Sequence, residues 1–457
     1  MTVRAIVLGA GKGTRMKCDL PKVLHTVAGR PIVDWVVAAV QEAGIDDITV
    51  VVGHGAEAVT AALPDGVRSV VQERQGGTGH ATRVALEAIG DVTGDTVFVI
   101  AGDTPLFRGE TLHRMLRAHR GTCTVLTTRV PDPTGYGRVV RSGGGVSAIV
   151  EERDTDDATR RIDEVAMSTY AFDGTALAAA LDKVGTHNDQ SEEYLTDVVG
   201  ILAGSGPVGA FTVDDHRETV GVNSHDQLWE ADALMRDRIN RHWMEAGVWM
   251  QDPATTYLDA AVTLSPGARL YAGVHLEGAT TVAAGAVVGP QVFVVDSTIG
   301  SGARVWYSVV RHAEVGEQVD VGPFASLRPG TVLRRGAKAG TFVEIKASTV
   351  GPDSKVPHLA YIGDATIGEH SNVGAGTITC NFDGYRKHRT VIGDRVFIGS
   401  DTMLVAPVEI GDDAVTGAGS VITRDVSPGS LAVERSQQKE LPGYAERRAR
   451  SAESEGE

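Results

Sequence analysis

Aliphatic residues recur at every sixth position between about Leu264 and Ile422, and this is the most regular pattern in the chain. Glycine follows many of these positions, as in Ile398-Gly399. A period of six fits neither the turn of an α-helix nor the simple alternation of a long β-strand. It is typical of a parallel β-helix, in which short strands stack and the aliphatic residues fill a narrow core. The repeating residues are Leu264, Leu270, Leu276, Val282, Val288, Val294, Ile299, Val305, Val315, Val321, Leu327, Leu333, Ala339, Ile345, Ile392, Ile398, Leu404, Ile410, Thr416 and Ile422.

The residues before about 222 follow a different pattern, in which short apolar runs alternate with amphipathic segments. One such segment, Pro31–Gly44, begins with proline and ends with glycine, as helices tend to do. Strands that alternate with helices predict a mostly parallel sheet covered by helices on both faces, with ligands at the carboxyl ends of the strands. A hairpin is predicted at Arg138–Val150. The predicted strands are Arg4–Leu8, Ile48–Gly53, Val67–Gln72, Thr96–Gly102 and Thr122–Val130.

A helix is predicted to join the two regions. Ser224 and Gln227 fit a capping box, and apolar residues follow at helical spacing to about Ala246. The last residues, Ala445–Glu457, are highly charged and predict a disordered tail. We therefore expect an α/β domain at 1–222, a helical connector at 223–250, a β-helix at 251–435 and a partly disordered tail at 436–457.

Composition argues against several kinds of partner. The 457 residues carry a net charge of −16 without any run of lysine and arginine, which argues against a nucleic-acid surface. The apolar run Ala5–Leu8 is too short for a signal peptide, and no stretch is apolar for long enough to span a membrane, so no membrane partner is expected. Cys18, Cys123 and Cys380 are too few and too far apart for a disulfide framework or a zinc site, which favours a cytoplasmic protein.

The first predicted strand ends in a glycine-rich loop, Leu8–Met16. The loop lacks the Gly-Lys-Ser/Thr ending of a Walker A motif and the last glycine of the dinucleotide fingerprint. Its glycines nevertheless let backbone N–H groups approach phosphate oxygens. Lys12, Arg15 and Lys22 add cations close by in the sequence. Because a plain turn would explain the glycines but not the cations, the loop predicts a polyphosphate site.

A second candidate site lies at the end of a later strand, in Ala101-Gly102-Asp103. A carboxylate at the carboxyl end of a parallel strand, on the same edge as the phosphate loop, is well placed to hold Mg²⁺. Asn223, just before the connector helix, could complete the metal site with its carbonyl oxygen. Taken alone, Asn223 would look like an ordinary helix cap, and a cap is the lesser alternative for Asp103.

The hexapeptide repeat is interrupted at Lys355–Tyr361 and at Thr379–Thr390, and interruptions of a repeat are where function tends to lie. Arg328 and Lys346 are cations among small residues, as a sugar phosphate would need. His358 is a candidate general base, since histidines titrate near neutral pH and can take a proton from an amine. A lone histidine on a loop is usually only solvated, but its place in this set favours catalysis.

Together these segments resemble a known family, the sugar-1-phosphate nucleotidyltransferases. With the hexapeptide ladder included, residues 3–437 resemble the bacterial family of bifunctional N-acetylglucosamine-1-phosphate uridylyltransferases and glucosamine-1-phosphate N-acetyltransferases. The matching segments are Gly11–Met16, Pro21-Lys22, Gln72, Gly77-Thr78-Gly79-His80-Ala81, Gly102-Asp103 and Gly135-Tyr136-Gly137-Arg138.

For the first domain the resemblance implies a Rossmann-like nucleotidyltransferase fold that uses UTP and Mg²⁺. Arg15 and Lys22 would be catalytic by neutralising charge while a sugar phosphate attacks the α-phosphorus of UTP. Asp103 and Asn223 would hold the metal. The residues implied in nucleotide and sugar-nucleotide binding are Leu8, Gly9, Ala10, Gly11, Lys22, Gln72, Gly77, Thr78, Ala101, Gly102, Asp103, Gly137, Glu151 and Asn223.

For the second domain the resemblance implies a left-handed parallel β-helix that assembles as a homotrimer. His358 would be the general base for acetyl transfer from acetyl-CoA, and Cys380 is not needed as an acyl carrier because the amine can attack the thioester directly. Glucosamine 1-phosphate would bind at Arg328, Lys346, Tyr361 and Asn372, and acetyl-CoA at Ala375, Asn381, Phe382, Lys387, Ser400, Ala418 and Arg435.

The resemblance thus implies a multifunctional transferase that makes UDP-N-acetylglucosamine for peptidoglycan, and so for cell wall biogenesis and cell shape. Two departures from the family pattern stand out. Gly9 replaces the usual alanine, which is mild because the loop works through its backbone. The segment Glu164–Ser168 replaces Glu-Val-Asn-Ser/Thr-Gly, so that Ala166 cannot make the hydrogen bonds of the family's asparagine, a loss of about 1–3 kcal/mol.

Two alternatives stay open. The chain could be a nucleotidyltransferase paralogue with another sugar 1-phosphate or with only one active half. It could also be a non-catalytic subunit, since some nucleotide-exchange subunits of translation factors share this two-domain plan and act as scaffolds. A scaffold would not need the residues that are intact here, namely Lys22, Asp103, Asn223 and His358.

Overall fold

The ladder of aliphatic residues forms a parallel β-helix, as predicted. The computed structural model describes residues 2–186, 188 and 191–454. Leu264 pairs with Val282, and Val282 pairs with Ile299, so each coil places its aliphatic residue beside that of the preceding coil. Every residue of the predicted repeat is buried. The residues that repeat with a period of six therefore form the core of the β-helix.

The strands of the β-helix lie in two parallel sheets. The larger sheet contains Trp249–Met250, Thr256–Leu258, Arg269–Leu270, Val274–Glu277, Val287–Val288, Val292–Val295, Arg304–Val305, Val309–Arg311, Asp320–Val321, Ser326–Leu327, Lys338–Lys346, Lys355–Gly363, Asn372–Val373, Ile378–Cys380, Phe397–Ile398, Met403–Val405, Val415–Thr416, Val421–Ile422 and Leu431–Ala432. The smaller sheet contains Thr263–Leu264, Thr281–Val282, Thr298–Ile299, Glu314–Val315, Val332–Leu333, Thr349–Val350, Ala365–Ile367, Thr390–Ile392 and Val408–Ile410.

One set of corners of the β-helix carries large exposed apolar side chains. Tyr307, Phe324, Phe342 and Leu359 lie at corners of successive coils, with φ of 45°, 60°, 57° and 44°. All four are exposed, and the rings of Phe324 and Phe342 stack with their centroids 5.5 Å apart. We call these four residues the apolar ridge.

One of the two predicted interruptions is wrong. Lys355–Tyr361 lies inside the strand Lys355–Gly363, which pairs with Lys338–Lys346 and turns a corner at Leu359. The sequence pattern lapses there because the strand continues through the corner. The second interruption is a true excursion, since the chain leaves the coil after Ile378–Cys380 and rejoins the smaller sheet only at Thr390.

The first domain is built around a mixed sheet that is mostly parallel, as predicted. Its strands are β1 Val3–Leu8, β2 Asp47–Val52, β3 Arg68–Val71, β4 Thr96–Ala101, β5 Cys123–Arg129, β6 Gly137–Ser142, β7 Gly145–Val150, β8 Glu164–Asp173 and β9 Val208–Thr212. Its helices are α1 Ile32–Glu42, α2 Ala56–Ala61, α3 Thr78–Ile89, α4 Gly109–Ala118, α5 Gly174–Leu181 and α6 Leu195–Ala203.

The order of the strands brings two predicted loops to one edge. The sheet runs β9-β5-β8-β4-β1-β2-β3, and the predicted hairpin of β6 and β7 joins it at β8. β1 is parallel to β2 and β4, and Leu8 pairs with both Val51 and Ala101. The glycine-rich loop after β1 and Asp103 after β4 therefore leave the sheet side by side. β8 is antiparallel to both its neighbours, and its register shifts between Ala166 and Tyr170.

The predicted connector is helix α7, His225–Glu245. Ser224 Oγ accepts a hydrogen bond from the backbone N–H of Gln227, and Gln227 Oε1 accepts one from that of Asn223. The capping residues therefore also fix the backbone at Asn223. The chain divides into two compact units, Met1–Ile239 and Asn240–Glu457, so the division falls within α7. Ala231 and Met235 are buried in a core cluster of the first unit.

The tail differs from the prediction of disorder. Tyr444–Ser454 forms a helix, α8, although residues 433–452 are exposed to solvent throughout. The last three residues of the predicted tail lie outside the described residues. Among the helices of the described ranges, none combines the length and the apolar character needed to cross a membrane.

Candidate active sites

A cleft of about 370 Å³ lies at the edge of the sheet where β1 and β4 end. It collects most of the residues that were predicted to bind a nucleotide. Among its lining residues are Leu8, Gly9, Ala10, Gly11, Lys22, Gln72, Gly77, Thr78, Ala101 and Asp103. The lining also includes Gln75, which the sequence analysis missed and whose Nε2 donates a hydrogen bond to the carbonyl oxygen of Ala10, 2.9 Å away.

Gly77 gives the cleft its shape. Its φ of 103° is one that side chains rarely adopt, and a Cβ atom there would lie 2.4 Å from the carbonyl oxygen of Glu193. Gln72 Nε2 donates to the carbonyl oxygen of Gly77 at 3.2 Å and lies 2.8 Å from His80 Nδ1. These contacts hold the start of α3 at the cleft, and the N–H of Gly79 donates a further hydrogen bond to the carbonyl oxygen of Glu193, 2.8 Å away.

A second cavity of about 280 Å³ adjoins the first, and Ala101, Asp103 and Ser168 line both. The other lining residues are Arg15, Thr104, Thr134, Gly135, Tyr136, Ala166, Met167, Thr219, Gly221, Asn223 and Gln227. The segment that departs from the family pattern thus forms one wall, and Ser168 there has a φ of 48°. The sequence analysis missed Met167, Ser168 and Gln227 as site residues, and the cap at Gln227 was the only signal for that residue.

Lys22 links the two predicted metal ligands. Its Nζ lies 2.5 Å from Asp103 Oδ2 and 2.9 Å from Asn223 Oδ1. The Lys22 and Asp103 side chains are only 12% and 20% exposed. Two oxygens from distant parts of the chain therefore converge on one cationic group, and oxygens are the ligands that a hard divalent cation takes.

The described residues alone do not build a complete metal centre. Within residues 2–186, 188 and 191–454, no three His, Cys, Asp or Glu side chains converge on a point that could hold a metal ion. Asp103 and Asn223 supply only two oxygens, so the remaining ligands of a bound Mg²⁺ would have to be water or substrate phosphates, as is common for this ion.

Gly137, Glu151 and Gly102 lie outside the linings of both cavities. Glu151 is near Gly137, since a Cβ atom at Gly137 would lie 3.7 Å from Glu151 Oε2. Burial raises the pKa of Glu151, and the hydrogen bond from Thr196 Oγ1 at 3.1 Å opposes that shift. At Gly102 a Cβ atom would lie 2.8 Å from the carbonyl oxygen of Leu8, so this residue serves close strand packing.

The second candidate site lies in the β-helix and contains two lysines, an aspartate, an asparagine and a tyrosine. Lys346 Nζ lies 3.4 Å from Asp364 Oδ2, which also accepts a hydrogen bond from Asn381 Nδ2 at 2.5 Å. Asn381 Nδ2 is 3.4 Å from the hydroxyl oxygen of Tyr361. Lys387 joins this group, because a hydrogen bond with Lys346 and the charge of that ammonium lower the pKa of Lys387. An anion placed between the two lysines would favour the protonated form of both.

Arg328 belongs to the same face of the β-helix. Its backbone N–H donates to the carbonyl oxygen of Ile345, the residue before Lys346, and its Nη1 lies 2.7 Å from Glu344 Oε1. Gly363 lies beside Lys346 in the next coil. A Cβ atom at Gly363 would lie 2.5 Å from the hydroxyl oxygen of Tyr361. The hydroxyl of Tyr361 can therefore take this position only because residue 363 is a glycine.

His358 lies before the corner at Leu359, whereas Tyr361 lies after it. Lys355 pairs with Asn372 and Tyr361 pairs with Ile378, and this register puts His358 opposite Ala375. The side chain of His358 is exposed and makes no hydrogen bond or ion pair with another described residue, whereas its backbone pairs with Thr341 in the preceding coil.

Ala375 begins a column of small residues along the β-helix. The pairing of Val373 with Ile398, and the hydrogen bond from Gly399 N–H to the carbonyl oxygen of Thr416, align Ala375, Ser400 and Ala418 in successive coils. Arg435 closes the column, because its Nη1 donates to the carbonyl oxygen of Ala418 at 2.9 Å.

Most of the residues predicted to bind acetyl-CoA, namely Ala375, Ser400, Ala418 and Arg435, thus lie in one column along the β-helix that begins opposite His358. Phe382 is 59% exposed on the excursion that carries Lys387. Asn381 and Lys387 depart from the predicted grouping, because the structure brings both to Lys346, a residue predicted for the sugar phosphate. Asn372 lies in the coil after Lys355, on the His358 side of the corner rather than with Tyr361.

Comparison with known proteins adds two domain matches and a set of close relatives. A MobA-like NTP transferase domain matches residues 5–162, and a bacterial transferase hexapeptide domain of six repeats matches residues 389–424. The bifunctional protein GlmU of Streptomyces avermitilis is 50% identical over 452 residues, which cover 97% of this chain and 94% of that protein. Its counterpart from Heliobacterium modesticaldum is 48% identical over 440 residues, 95% of this chain and 96% of that protein.

Proposed function

The chain belongs to the family of the bifunctional protein GlmU, and from this membership we propose how its two domains work. It is a transferase with two activities. The β-helix acetylates glucosamine 1-phosphate with acetyl-CoA, and the first domain transfers UMP from UTP to the resulting N-acetylglucosamine 1-phosphate, releasing pyrophosphate. The product, UDP-N-acetylglucosamine, supports peptidoglycan and cell wall synthesis. The observation that carries the proposal is that one chain holds a cleft lined by the glycine-rich loop and Lys22 and, separately in the β-helix, a group of Lys346, Asp364 and Asn381.

In the first domain, catalysis rests on position and charge rather than on a covalent nucleophile. The glycine-rich loop and the start of α3 offer backbone N–H groups to the UTP phosphates. Arg15 lines the adjoining cavity, and Lys22 lines the cleft and contacts Asp103, which lines both. These cations stabilise charge that builds up on the phosphates as the sugar phosphate oxygen attacks and pyrophosphate leaves.

Asp103 and Asn223 hold Mg²⁺ in this proposal. The support is that their oxygens already converge on the Lys22 ammonium. A divalent cation held by these two oxygens would neutralise phosphate charge. Lys22 must then release at least one of these oxygens, which frees its ammonium to pair with a phosphate oxygen.

In the β-helix, the two ammonium groups of Lys346 and Lys387, together with Arg328, bind the phosphate of glucosamine 1-phosphate. His358 takes the proton from the sugar's amine while the amine attacks the thioester carbonyl of acetyl-CoA. The support for acetyl-CoA is the column of small residues that begins opposite His358, because a long, thin ligand can lie against it. Cys380 has no part in this direct transfer.

The assembly in the proposal is a homotrimer of left-handed β-helices in the cytoplasm, where UTP and acetyl-CoA are available. The apolar ridge supports an assembly of chains, because neighbouring exposed aromatic side chains gain free energy when a partner covers them. The β-helix fold itself supports it too, since such domains commonly pack side by side.

A second candidate for the first domain is a uridylyltransferase with another sugar 1-phosphate. The wall formed by Ala166, Met167 and Ser168 favours it, because it offers fewer amide hydrogen bonds than the family's asparagine would. Selectivity for the acetylated sugar would then be weaker by roughly one to two powers of ten.

The experiment that tests the proposal is pyrophosphate release from UTP and Mg²⁺ with three sugars: N-acetylglucosamine 1-phosphate, glucosamine 1-phosphate and glucose 1-phosphate. We expect a strong preference for the acetylated sugar. Preference for another sugar would support the second candidate. The absence of release with all three would refute the uridylyltransferase assignment and leave a scaffold role for this domain.

A further inference from the structure

Ser168 is a residue of strand β8 that lines both the nucleotide cleft and the adjoining cavity. Its φ of 48° falls in the left-handed region, which residues with side chains rarely adopt. Among the described residues of the first unit, the other non-glycine residues with positive φ are Lys17, Ala28 and Ser191, and these three lie outside the strands. A strained backbone within a strand that borders a cavity is typical of a functional site.

Ser168 lies in a bulge of β8. Ala166 pairs with Thr127 of β5, and the next pair on that edge joins Tyr170 to Val125. Three residues of β8 therefore lie opposite a single residue of β5. Such a bulge turns a side chain away from the regular alternation of the strand, and bulges are common beside active sites for this reason.

The other edge of β8 brings Ser168 close to the loop that carries Asp103. Thr169 pairs with Ile100 of β4, so Ser168 lies beside Ala101. Ala101 and Asp103 line both the cleft and the adjoining cavity, as Ser168 does. Ser168 is therefore at the place where a nucleotide in the cleft and a second substrate in the adjoining cavity would meet.

The hydroxyl of Ser168 is available to a ligand. The side chain is exposed, and no residue within 2–186, 188 and 191–454 makes a hydrogen bond with its hydroxyl. The neighbouring Thr169 differs, because it is buried and its hydroxyl donates to the carbonyl oxygen of Met167, 3.2 Å away. Ala166 and Met167 line the adjoining cavity too, but their side chains have no O–H or N–H group. Of these wall residues, Ser168 is the one whose side chain can both donate and accept a hydrogen bond.

The adjoining cavity is suited to a sugar 1-phosphate. Arg15 lines it and forms no ion pair with a described residue, so its guanidinium can pair with a phosphate. Gly9 and Gly11 of the glycine-rich loop line the cleft instead. The phosphates of a nucleotide and the phosphate of a sugar would thus have separate partners on the two sides of Ser168.

We propose that Ser168 is a binding residue for the sugar 1-phosphate. Its hydroxyl makes a hydrogen bond to that substrate, and the strained backbone is retained because it directs the hydroxyl into the cavity. This role rests on the function proposed above, in which the first domain takes a sugar 1-phosphate as substrate. It gives Ser168 a polar contact that Ala166 cannot make. Glycine at this position should therefore relieve strain and weaken substrate binding at the same time.

The test compares Ser168→Gly and Ser168→Ala with the parent protein and with Ser205→Ala, which changes an exposed serine elsewhere in the same domain. KM for N-acetylglucosamine 1-phosphate should rise about five- to tenfold in both Ser168 variants, because each loses one hydrogen bond. KM for UTP should stay at the parental value, and Ser205→Ala should match the parent throughout. The melting temperature of Ser168→Gly should equal or exceed that of the parent, since glycine adopts a φ of 48° without strain.

An unchanged KM for the sugar phosphate in both Ser168 variants would overturn the proposal, as would an equal or larger rise in KM for UTP. A lower melting temperature for Ser168→Gly would overturn the claim that the backbone is strained for the sake of this contact. A parent protein that released no pyrophosphate with any sugar would refute the proposed function itself. Titration calorimetry with N-acetylglucosamine 1-phosphate, in the presence of UTP and Mg²⁺, would then decide the role of Ser168. Weaker binding to Ser168→Ala would support it, whereas equal binding or none would overturn it.

Discussion

At the scale of single residues, both sites depend on charged side chains held at fixed distances by distant parts of the chain. Lys22 bridges Asp103 and Asn223, which come from two different ends of the first domain. Lys346 and Asn381 share Asp364 in the same way in the β-helix. The residue types in these groups could be predicted from sequence motifs. Their distances could not, because the grouping of Lys387 with Lys346 depends on how an excursion folds back onto the coil.

Replacing Asp103 by asparagine should abolish most nucleotidyl transfer. The amide keeps the size of the side chain but removes the charge that opposes Lys22 and attracts Mg²⁺. We expect kcat for pyrophosphate release to fall about 10²–10³-fold, with acetyl transfer unchanged. The matched control is Asp65→Asn, an exposed aspartate of the same domain. Equal activity of the two variants would refute a role for Asp103 in the site.

Replacing His358 by asparagine should leave nucleotidyl transfer intact and slow acetyl transfer. Loss of a general base commonly costs about 10²–10⁴-fold, and the drop should appear in kcat because His358 is not among the cations proposed to hold the sugar phosphate. Assays of thiol release from acetyl-CoA measure it. His370→Asn, at an exposed position of the β-helix, is the control. Should both variants acetylate at the parental rate, another base must act.

At the scale of elements, the period of the hydrophobic pattern was the strongest predictor. The six-residue repeat gave the strands and core of the β-helix, since every repeating residue is buried. It failed at Lys355–Tyr361, because a strand that turns a corner at Leu359 loses the repeat without leaving the coil. The high charge of the tail predicted disorder, whereas the structure has a helix at Tyr444–Ser454. Neighbouring Glu446 and Arg450, one turn apart, form an ion pair that supports that helix.

The core of the β-helix should respond strongly to truncation of one repeating side chain. Leu327 is fully buried, so Leu327→Ala removes packing that the stacked coils cannot refill, and we expect a loss of about 2–5 kcal/mol of unfolding free energy. Denaturant unfolding combined with hydrogen exchange of β-helix peptides measures it. Val309→Ala, at a partly exposed position in the preceding coil, should cost far less. Equal losses of unfolding free energy in the two variants would mean that the repeating residues do not form the core.

Replacing Gly363 by alanine tests the geometry of the candidate acetyltransferase site. A methyl group at Gly363→Ala would overlap the hydroxyl of Tyr361 and the amide of Asn381, at 2.5 Å and 2.6 Å. Both side chains would have to move, so KM for glucosamine 1-phosphate should rise about ten- to a hundredfold. Pyrophosphate release from UTP serves as the internal control. An unchanged KM would show that Tyr361 and Asn381 do not position the sugar.

At the scale of the whole molecule, the chain consists of two compact units, and their boundary along the sequence falls within α7. The order of the two domains was predictable from the change of hydrophobic pattern. The boundary was not, because α7 is one continuous helix, and the residues that it buries in the first unit follow the same spacing as the rest. The sequence also could not reveal the apolar ridge, since its members are far apart until the coils stack them.

Assembly should depend on the apolar ridge. The double variant Phe324→Asp with Phe342→Asp places two carboxylates where aromatic rings stack, so it should convert the proposed trimer to single chains of 48.0 kDa. Light scattering measures the mass. The control Leu441→Asp changes an equally exposed apolar residue of the tail and should leave the trimer intact. A trimer that persists in the double variant would place the interface elsewhere.

The central claim is that one chain carries out the two reactions in sequence, and the most direct test is to supply the substrate of the first reaction and measure the product of the second. The purified protein is given glucosamine 1-phosphate, UTP and Mg²⁺, with or without acetyl-CoA, and pyrophosphate is measured. We predict rapid release only when acetyl-CoA is present, since the first domain then receives the acetylated sugar. Release at the same rate without acetyl-CoA, or no release in either case, would contradict the account.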